Sequence, residues 1–386
     1  MQQDKPLCGI RVVERAGGVA GAWAGRLLAA MGAEVIMAEP PSLNPLRGEA
    51  PLFDNGDSAL FAYLAADKRS VVCDLETSAG RTAMDGLLAE AQILVDDTPL
   101  AERAGLGLAS ADVAARHPHL VHLSVLPFGA MGPKADWKGR EINLIHAGGE
   151  GFLLPNGLSA SLFPDRPPLK IAGHFAEMQG GVAAALAALS ALWSGEGQFV
   201  DVSVQDANVA VGAFGVQRFG DGSVEHRLTR SFRYGGVIEC RDGYVELLTL
   251  EERQWQGLIT LMDDPEWSRD PALGDPVTRS SRGDDINREI RRWALGHDVD
   301  ELVTRAQQLG VPMARYNSPE RILDGAQERA REIFQPMDLP AVGQIKVQAA
   351  PFRFGDAPLQ IGRPAPEPAA DQEMLALCAQ GRRVTA

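Results

Sequence analysis

The chain has 386 residues, 45% hydrophobic and 23% charged, which suits a globular protein able to bury a sizeable core in two domains or one elaborated domain. A net charge of −14 excludes a general nucleic-acid binder, because affinity for phosphate backbones rests on clustered Lys and Arg. No run approaches the roughly 18 consecutive apolar residues of a membrane span. The opening MQQDKPLCGIRVVE carries no basic-then-apolar leader, so a cytoplasmic protein off the membrane is expected. Cys8, Cys73, Cys240 and Cys378 are scattered without a CxxC pair and read as small buried hydrophobes in a reducing compartment. The histidines lack HExxH spacing, and no metal is expected.

In chain order, Gly9 to Arg15 reads as a strand, Gly18 to Met31 as a helix and Ala33 to Glu39 as a second strand. Such a βαβ unit implies parallel strands and a right-handed crossover. Its turn, Ala16-Gly17-Gly18-Val19-Ala20-Gly21, comes close to a GxGxxG fingerprint, and Glu39 stands where a ribose-binding acid would. A dinucleotide oxidoreductase is therefore one rival; plain helix-on-strand packing by the glycines is the other. The alternation continues with strands at 70–75, 92–97 and 119–126 and helices at 80–91 and near 110–117. It predicts a doubly wound α/β sheet whose ligands bind at the carboxyl ends of the strands.

From Val182 to Trp193 nearly every residue is Ala, Leu or Val, with Ser190 the polar exception, which predicts a helix buried on all sides. His174 and Glu177 stand at its mouth, Gly180-Gly181 follow within its first turns, and residues 198–204 read as a buried strand. Beyond Asn208, VIECRDGYVELLTL predicts a hairpin about Asp242-Gly243. Amphipathic helices follow near 251–262, 285–295 and 298–308, with an exposed loop at 263–285. Residues 319–334 read as one helix, 342–348 as a strand and 350–368 as a Pro-rich tail. The divisions expected are a Rossmann-like large domain over 1–218, a smaller α+β domain over 219–318 and a return segment over 319–386.

GIRVVE, MGAEVIMAEPP, ADKRSVVCDL, the FGxxGP turn at Phe128–Pro133 and the run GEGQFVDVSVQDA together resemble the family III CoA-transferases from end to end. That family includes formyl-CoA transferase and carnitine- and bile-acid-linked relatives, with methylacyl-CoA racemases as cousins. The resemblance implies a ring-shaped chain interlocking as a homodimer, with acyl-CoA and carboxylic acids as substrates. Coenzyme A comes and goes as substrate, with no resident cofactor. It also implies CoA contacts at Arg47, Lys68, Arg69, Arg103 and Lys138, where nucleotide phosphates need cations; each is otherwise an ordinary solvated side chain. Glu141 matches an acid beside the acyl group. Arg140 stands where racemases carry a catalytic His, and a guanidinium cannot serve as a base.

The family's nucleophilic Asp falls on His174, counting back from the helix without a gap. An imidazole cannot form the acyl anhydride, so the nearest carboxylate, Glu177, is the candidate nucleophile, with N–H groups near Gly180 and Gly181 as the oxyanion donors. Equally, Glu177 reads as a helix-entry cap. Three activities stay open: CoA transfer through Glu177; isomerase, racemase or lyase chemistry with His174 and Glu141 moving protons; and a non-catalytic acyl-CoA-binding relative. The turn Asp97-Thr98-Pro99-Leu100 departs from the family's Asn-Phe-x-Pro-Gly pattern. A lid role for Tyr234 to Gly236 is a weaker expectation drawn from the same resemblance.

Overall fold

A computed structural model describes residues 5–154, 165, 167, 169–212, 234–355 and 357–379. Two compact units emerge, one drawn from Met1–Glu150, Lys170–Ala213 and Leu323–Ala386, the other from Gly151–Leu169 and Phe214–Ile322. The chain thus returns to the first unit at Leu323.

The first unit is built on six parallel strands: β1 (Arg11–Arg15), β2 (Glu34–Glu39), β3 (Lys68–Val72), β4 (Ile93–Asp96), β5 (Val121–Leu126) and β6 (Gln198–Ser203). Their order is β3-β2-β1-β4-β5-β6. Every pairing is parallel, with Val12 opposite Val35 on one side and Ile93 on the other. β4 and β5 are buried at every residue, as near-continuous apolar runs in a doubly covered parallel sheet should be. Strand order reverses between β1 and β4, which opens a crevice at their carboxyl ends.

Among the described residues, helices of this unit include α1 (Val19–Ala30), α2 (Ala59–Leu64), α3 (Ser78–Glu90), α4 (Leu100–Leu106), α5 (Ser110–Arg116), α6 (Glu141–Ala147), α7 (Phe175–Ser194), α8 (Val204–Val211) and a late one over Gln372–Ala379. Ser and Thr caps fix several starts: Ser58 for α2, Thr77 for α3 and Ser203 for α8 each accept a backbone N–H. The long helix α7 packs its small residues, Ala176, Gly180, Gly181, Ala184, Ala185, Ala188 and Ala191, inward. A Cβ on Gly181 would come within 2.6 Å of the Ala20 carbonyl oxygen of α1, so glycine there lets the two backbones touch. The expectation that α7 is covered on all sides fails: Val182, Leu186 and Trp193 are 48%, 66% and 93% exposed. By length and hydropathy α7 would pass as a membrane span, yet its inner face forms part of this core.

The stretch 319–334 holds two short helices, Pro319–Leu323 and Ala326–Arg331. Asp324-Gly325 interrupts them, and Gly325 takes an extended conformation as N-cap of the second. Residues Phe334–Leu339 then form a strand antiparallel to Gly343–Gln348. The sequence patterns mark no element over 335–341, yet the alternating burial of Phe334–Leu339 is that of a strand, with a period of two.

In the second unit the expected hairpin is present, pairing Gly236–Cys240 with Gly243–Leu247 about Asp242, and Met313–Arg315 adds a third strand. The stretch 263–285 is more ordered than a loop: it holds short turns capped by Asp270 and Asp275, and Leu273 is buried. Tyr234 stacks edge-on to Trp255 inside this unit. Gly236 opens a strand.

Candidate active site

The carboxyl ends of β1, β4 and β5 and the mouth of α7 enclose a cleft of about 500 Å³. Beside it lies a recess of about 170 Å³ under Glu39 and Asn44, and the two share Gly17, Asp97, Pro99 and Glu102. The groove therefore follows the crevice that the strand order creates. Glu177 lines the cleft, and its Oε2 lies 2.6 Å from His174 Nδ1. The two side chains are 12% and 24% exposed, shielded yet reachable.

Glu141 sets this pair in place. It is buried, and its two oxygens accept the N–H groups of Ala176 and Glu177, each at 3.0 Å. Those donors belong to the first turn of α7 and have no partner inside the helix, so a carboxylate there satisfies them and meets the positive end of the helix dipole. Asn208 of α8 grips the same turn from the other side, donating to the Ala176 carbonyl at 3.0 Å. Glu141 is thus a positioning residue for α7, and the partner shown for His174 is Glu177.

Gly180 and Gly181 serve packing. Both lie beyond the first four residues of α7, where N–H groups already have partners along the helix. A Cβ at Gly180 would meet Val204 of α8 at 2.7 Å. The oxyanion role expected of them is therefore not available. Two of the first-turn donors at this helix, those of Ala176 and Glu177, are occupied by Glu141.

The expected CoA contacts separate into two groups. Lys138 is exposed and lines the cleft. Arg103 is buried at the carboxyl end of β4, donating from Nε to the Thr98 carbonyl and from Nη2 to Ser124 Oγ. It braces the cleft floor from below. Arg47 engages Glu39 through Nε and Nη2, at 2.8 and 2.7 Å, and the Pro366 carbonyl through Nη1. Burial works to raise the Glu39 pKa, but hydrogen bonds from Arg47 and Ser70, with Arg47's charge, hold it below the usual carboxylate range. Glu39 is so occupied that the ribose-binding role weighed for it has no free oxygen to use.

Lys68 and Arg69 open β3, at the opposite end of the sheet from the cleft. Lys68 is wholly buried, and its ammonium donates to both Glu14 oxygens, at 2.9 and 2.7 Å, and to the Ala22 carbonyl. Burial pulls the Lys68 pKa down against the attraction of Glu14. Burial likewise pushes Glu14 up to about 7. Lys68 has no surface from which to touch a phosphate, while Arg69, partly exposed, ties Glu34 to Asp371. The resemblance carried them to CoA through the KRS segment, which the topology places at the amino end of β3.

One cleft residue was passed over. Asp97, noted above only as a departure from a family turn, accepts the N–H groups of Gly17 and Gly18 at 3.0 and 2.6 Å. An acid after β4 and a glycine pair after β1 meet wherever a doubly wound sheet reverses, and that was the available signal.

Residues 7–372 match the family model described as CoA-transferase family III. The chain belongs to this family. It is 32% identical over 360 residues to the probable CoA-transferase Rv1866 of Mycobacterium tuberculosis, covering 90% of this chain and 44% of that relative. The chain thus spans less than half the length of that protein. It is 29% identical over 373 residues to the BbsE subunit of succinyl-CoA:(R)-benzylsuccinate CoA-transferase from Thauera aromatica, covering 92% of this chain and 90% of the relative. Among solved structures, a CaiB/BaiF family protein from Brucella suis superposes with a TM-score of 0.83 at 26% identity, over 98% of this chain and all of the other. CoA transfer is thereby supported at the level of the family. Among the described residues no cluster of His, Cys, Asp and Glu is arranged to hold a metal.

Proposed function

We propose that this family III CoA-transferase moves CoA between carboxylic acids with Glu177 in the nucleophile's role and His174 orienting it. The observation that carries this is the 2.6 Å contact between Glu177 Oε2 and His174 Nδ1 at the wall of the cleft. A carboxylate oxygen of Glu177 attacks the acyl carbonyl, the carbon–sulfur bond breaks, and a mixed anhydride forms as CoA thiolate leaves. The thiolate then attacks the Glu177 carbonyl carbon, releasing the first carboxylic acid and leaving CoA on Glu177 as a thioester. The incoming carboxylate takes the CoA by the same two steps in reverse, which restores Glu177. Protons need not be moved, so the histidine serves position.

Incubation with an acyl-CoA panel, trapping with hydroxylamine or borohydride and peptide mapping tests this. Modification at Glu177, absent in Glu177→Gln, supports the transferase. Solvent deuterium entering the acyl chain, and lost in His174→Ala, would replace it with proton-transfer chemistry. A second reading rests on His174 itself, which stands where the family carries its aspartate. Together with a relative twice as long and another described as a subunit, it supports an acyl-CoA-binding chain that works beside a catalytic one. CoA binding with no adduct on any residue would favour that role.

The bare face of α7 supports a homodimer, interlocked as the resemblance implies, since exposed apolar surface of this kind marks an interface. Sedimentation at micromolar concentration should give a dimer that Leu186→Glu weakens or dissociates; an unchanged monomer in both would remove the assembly. Four free cysteines, three buried and Cys8 exposed, favour a cytoplasmic setting.

A further inference from the structure

Asp97 stands where the groove passes over the reversal of strand order, lining both the cleft and the recess. Its neighbour Asp96 is wholly buried and engaged by His122, Arg103 and the Thr98 N–H. Asp97 instead holds the Gly17 and Gly18 N–H groups, and among the described residues no cation forms an ion pair with it. Those two donors open α1, a 12-residue helix, and left free they would be the groove's natural seat for an incoming anion. The chain fills that seat with its own carboxylate. There is no slack around it, since a Cβ on Gly18 would lie 3.0 Å from Asp97 Oδ2.

On the transferase reading above, we propose that Asp97 determines acyl specificity: it closes the cleft to acyl groups that carry a second carboxylate and selects thioesters with an uncharged acyl chain. A second carboxylate, carried on the acyl chain away from the reacting carbonyl and brought beside Asp97, would lose water next to a negative charge while its best donors are already engaged. The walls suit the selected class, since Val19, Ala20, Val125, Leu126, Leu144 and Val204 are apolar. The cations of the lining, Lys138 and Arg140, are exposed and in reach of solvent.

Titration calorimetry with two unreactive thioethers tests this without turnover. S-butyl-CoA and S-(3-carboxypropyl)-CoA differ only by a carboxylate in place of the terminal methyl. At about pH 7.5 the wild type is expected to prefer the butyl analogue by at least about tenfold, and Asp97→Asn to draw that ratio toward one by gaining affinity for the carboxylated analogue. A wild-type ratio near one, or an unchanged ratio in folded Asp97→Asn, overturns the proposal. Failure of both analogues to bind the wild type would overturn the CoA reading, and this inference with it.

A second measurement needs no variant. Burial raises the Asp97 pKa to about 6, against the two N–H bonds that lower it, while the free ligand carboxylate stays ionised down to about pH 5. Lowering the pH from about 7.5 to about 5.5 neutralises Asp97 and should shrink the wild-type preference; a preference that holds or grows counts against it. The charged groups around Asp97 are Glu14 and Arg15 of β1, Asp96 of β4 and Glu102 of α4. Of these Glu14, raised to about 7 by burial, titrates in the same range. The response must therefore vanish in Asp97→Asn if Asp97 is its source.

Discussion

The two ends of the six-stranded sheet both carry charge, and both are hollow. The cavity at the amino ends is the larger, about 630 Å³ against about 500 Å³ for the cleft. At the amino ends, acids and bases answer one another across strands: Arg11 pairs with Glu34 and Glu90, and Arg69 with Glu34 and Asp371. At the carboxyl ends Glu39 and Asp96 are likewise paired, with Arg47 and with Arg103 and His122, but two further carboxylates are held by backbone N–H groups, Asp97 by the start of α1 and Glu141 by the start of α7. Salt bridges neutralise a surface and tie segments together. Carboxylates on helix starts are held in one direction, and Asp97 is so held while still lining the cleft. The difference shows that cavity size is a poor guide to function here, whereas the identity of the groups opposing each charge is a good one.

The sharpest way to break this contrast is at Lys68, which runs from the amino edge into the core to meet Glu14. Lys68→Met leaves Glu14 buried without a counter-charge and is expected to cost about 3–5 kcal/mol of stability in urea unfolding. Pairing it with Glu14→Leu should recover most of that loss; a single variant as stable as wild type would show the pair to be dispensable. A smaller effect is expected from Arg69→Ala. Its ion pairs are partly solvated, so about 1 kcal/mol or less should be lost, and the Kd for CoA should change less than about twofold. A tenfold weakening of CoA binding would return Arg69 to the ligand site and undo the division between the two ends.

Much of the first unit was legible in the sequence because strand and helix periods are local. Arg11–Arg15, Val19–Ala30 and Val121–Leu126 lie within a residue or two of where the patterns put them. What escaped was set by distant partners. The bare side of α7 could not be foreseen, because alanine and leucine promise burial without saying what covers them. Phe334–Leu339 is a strand only because Gly343–Gln348 pairs with it. The contact between His174 and Glu177 follows from their spacing across the start of α7, which is local. The committed state of Glu141, Arg47 and Arg103, and the importance of Asp97, depend on atoms brought in from other strands.

The bond between Arg69 and Asp371 joins positions 302 residues apart in sequence. Asp371 also accepts the Ser70 N–H, Gln372 bonds both polar groups of the Val72 backbone, and Asp67 accepts the N–H groups of Gly362 and Arg363. β3 is an edge strand, so these late residues supply the partners its open side needs. During synthesis at about 5–20 residues per second, that edge waits roughly 15–60 s for its cover. Through that interval the nascent chain holds an unfinished sheet, and a chaperone or the far side of another nascent chain competes for the edge before its own tail arrives.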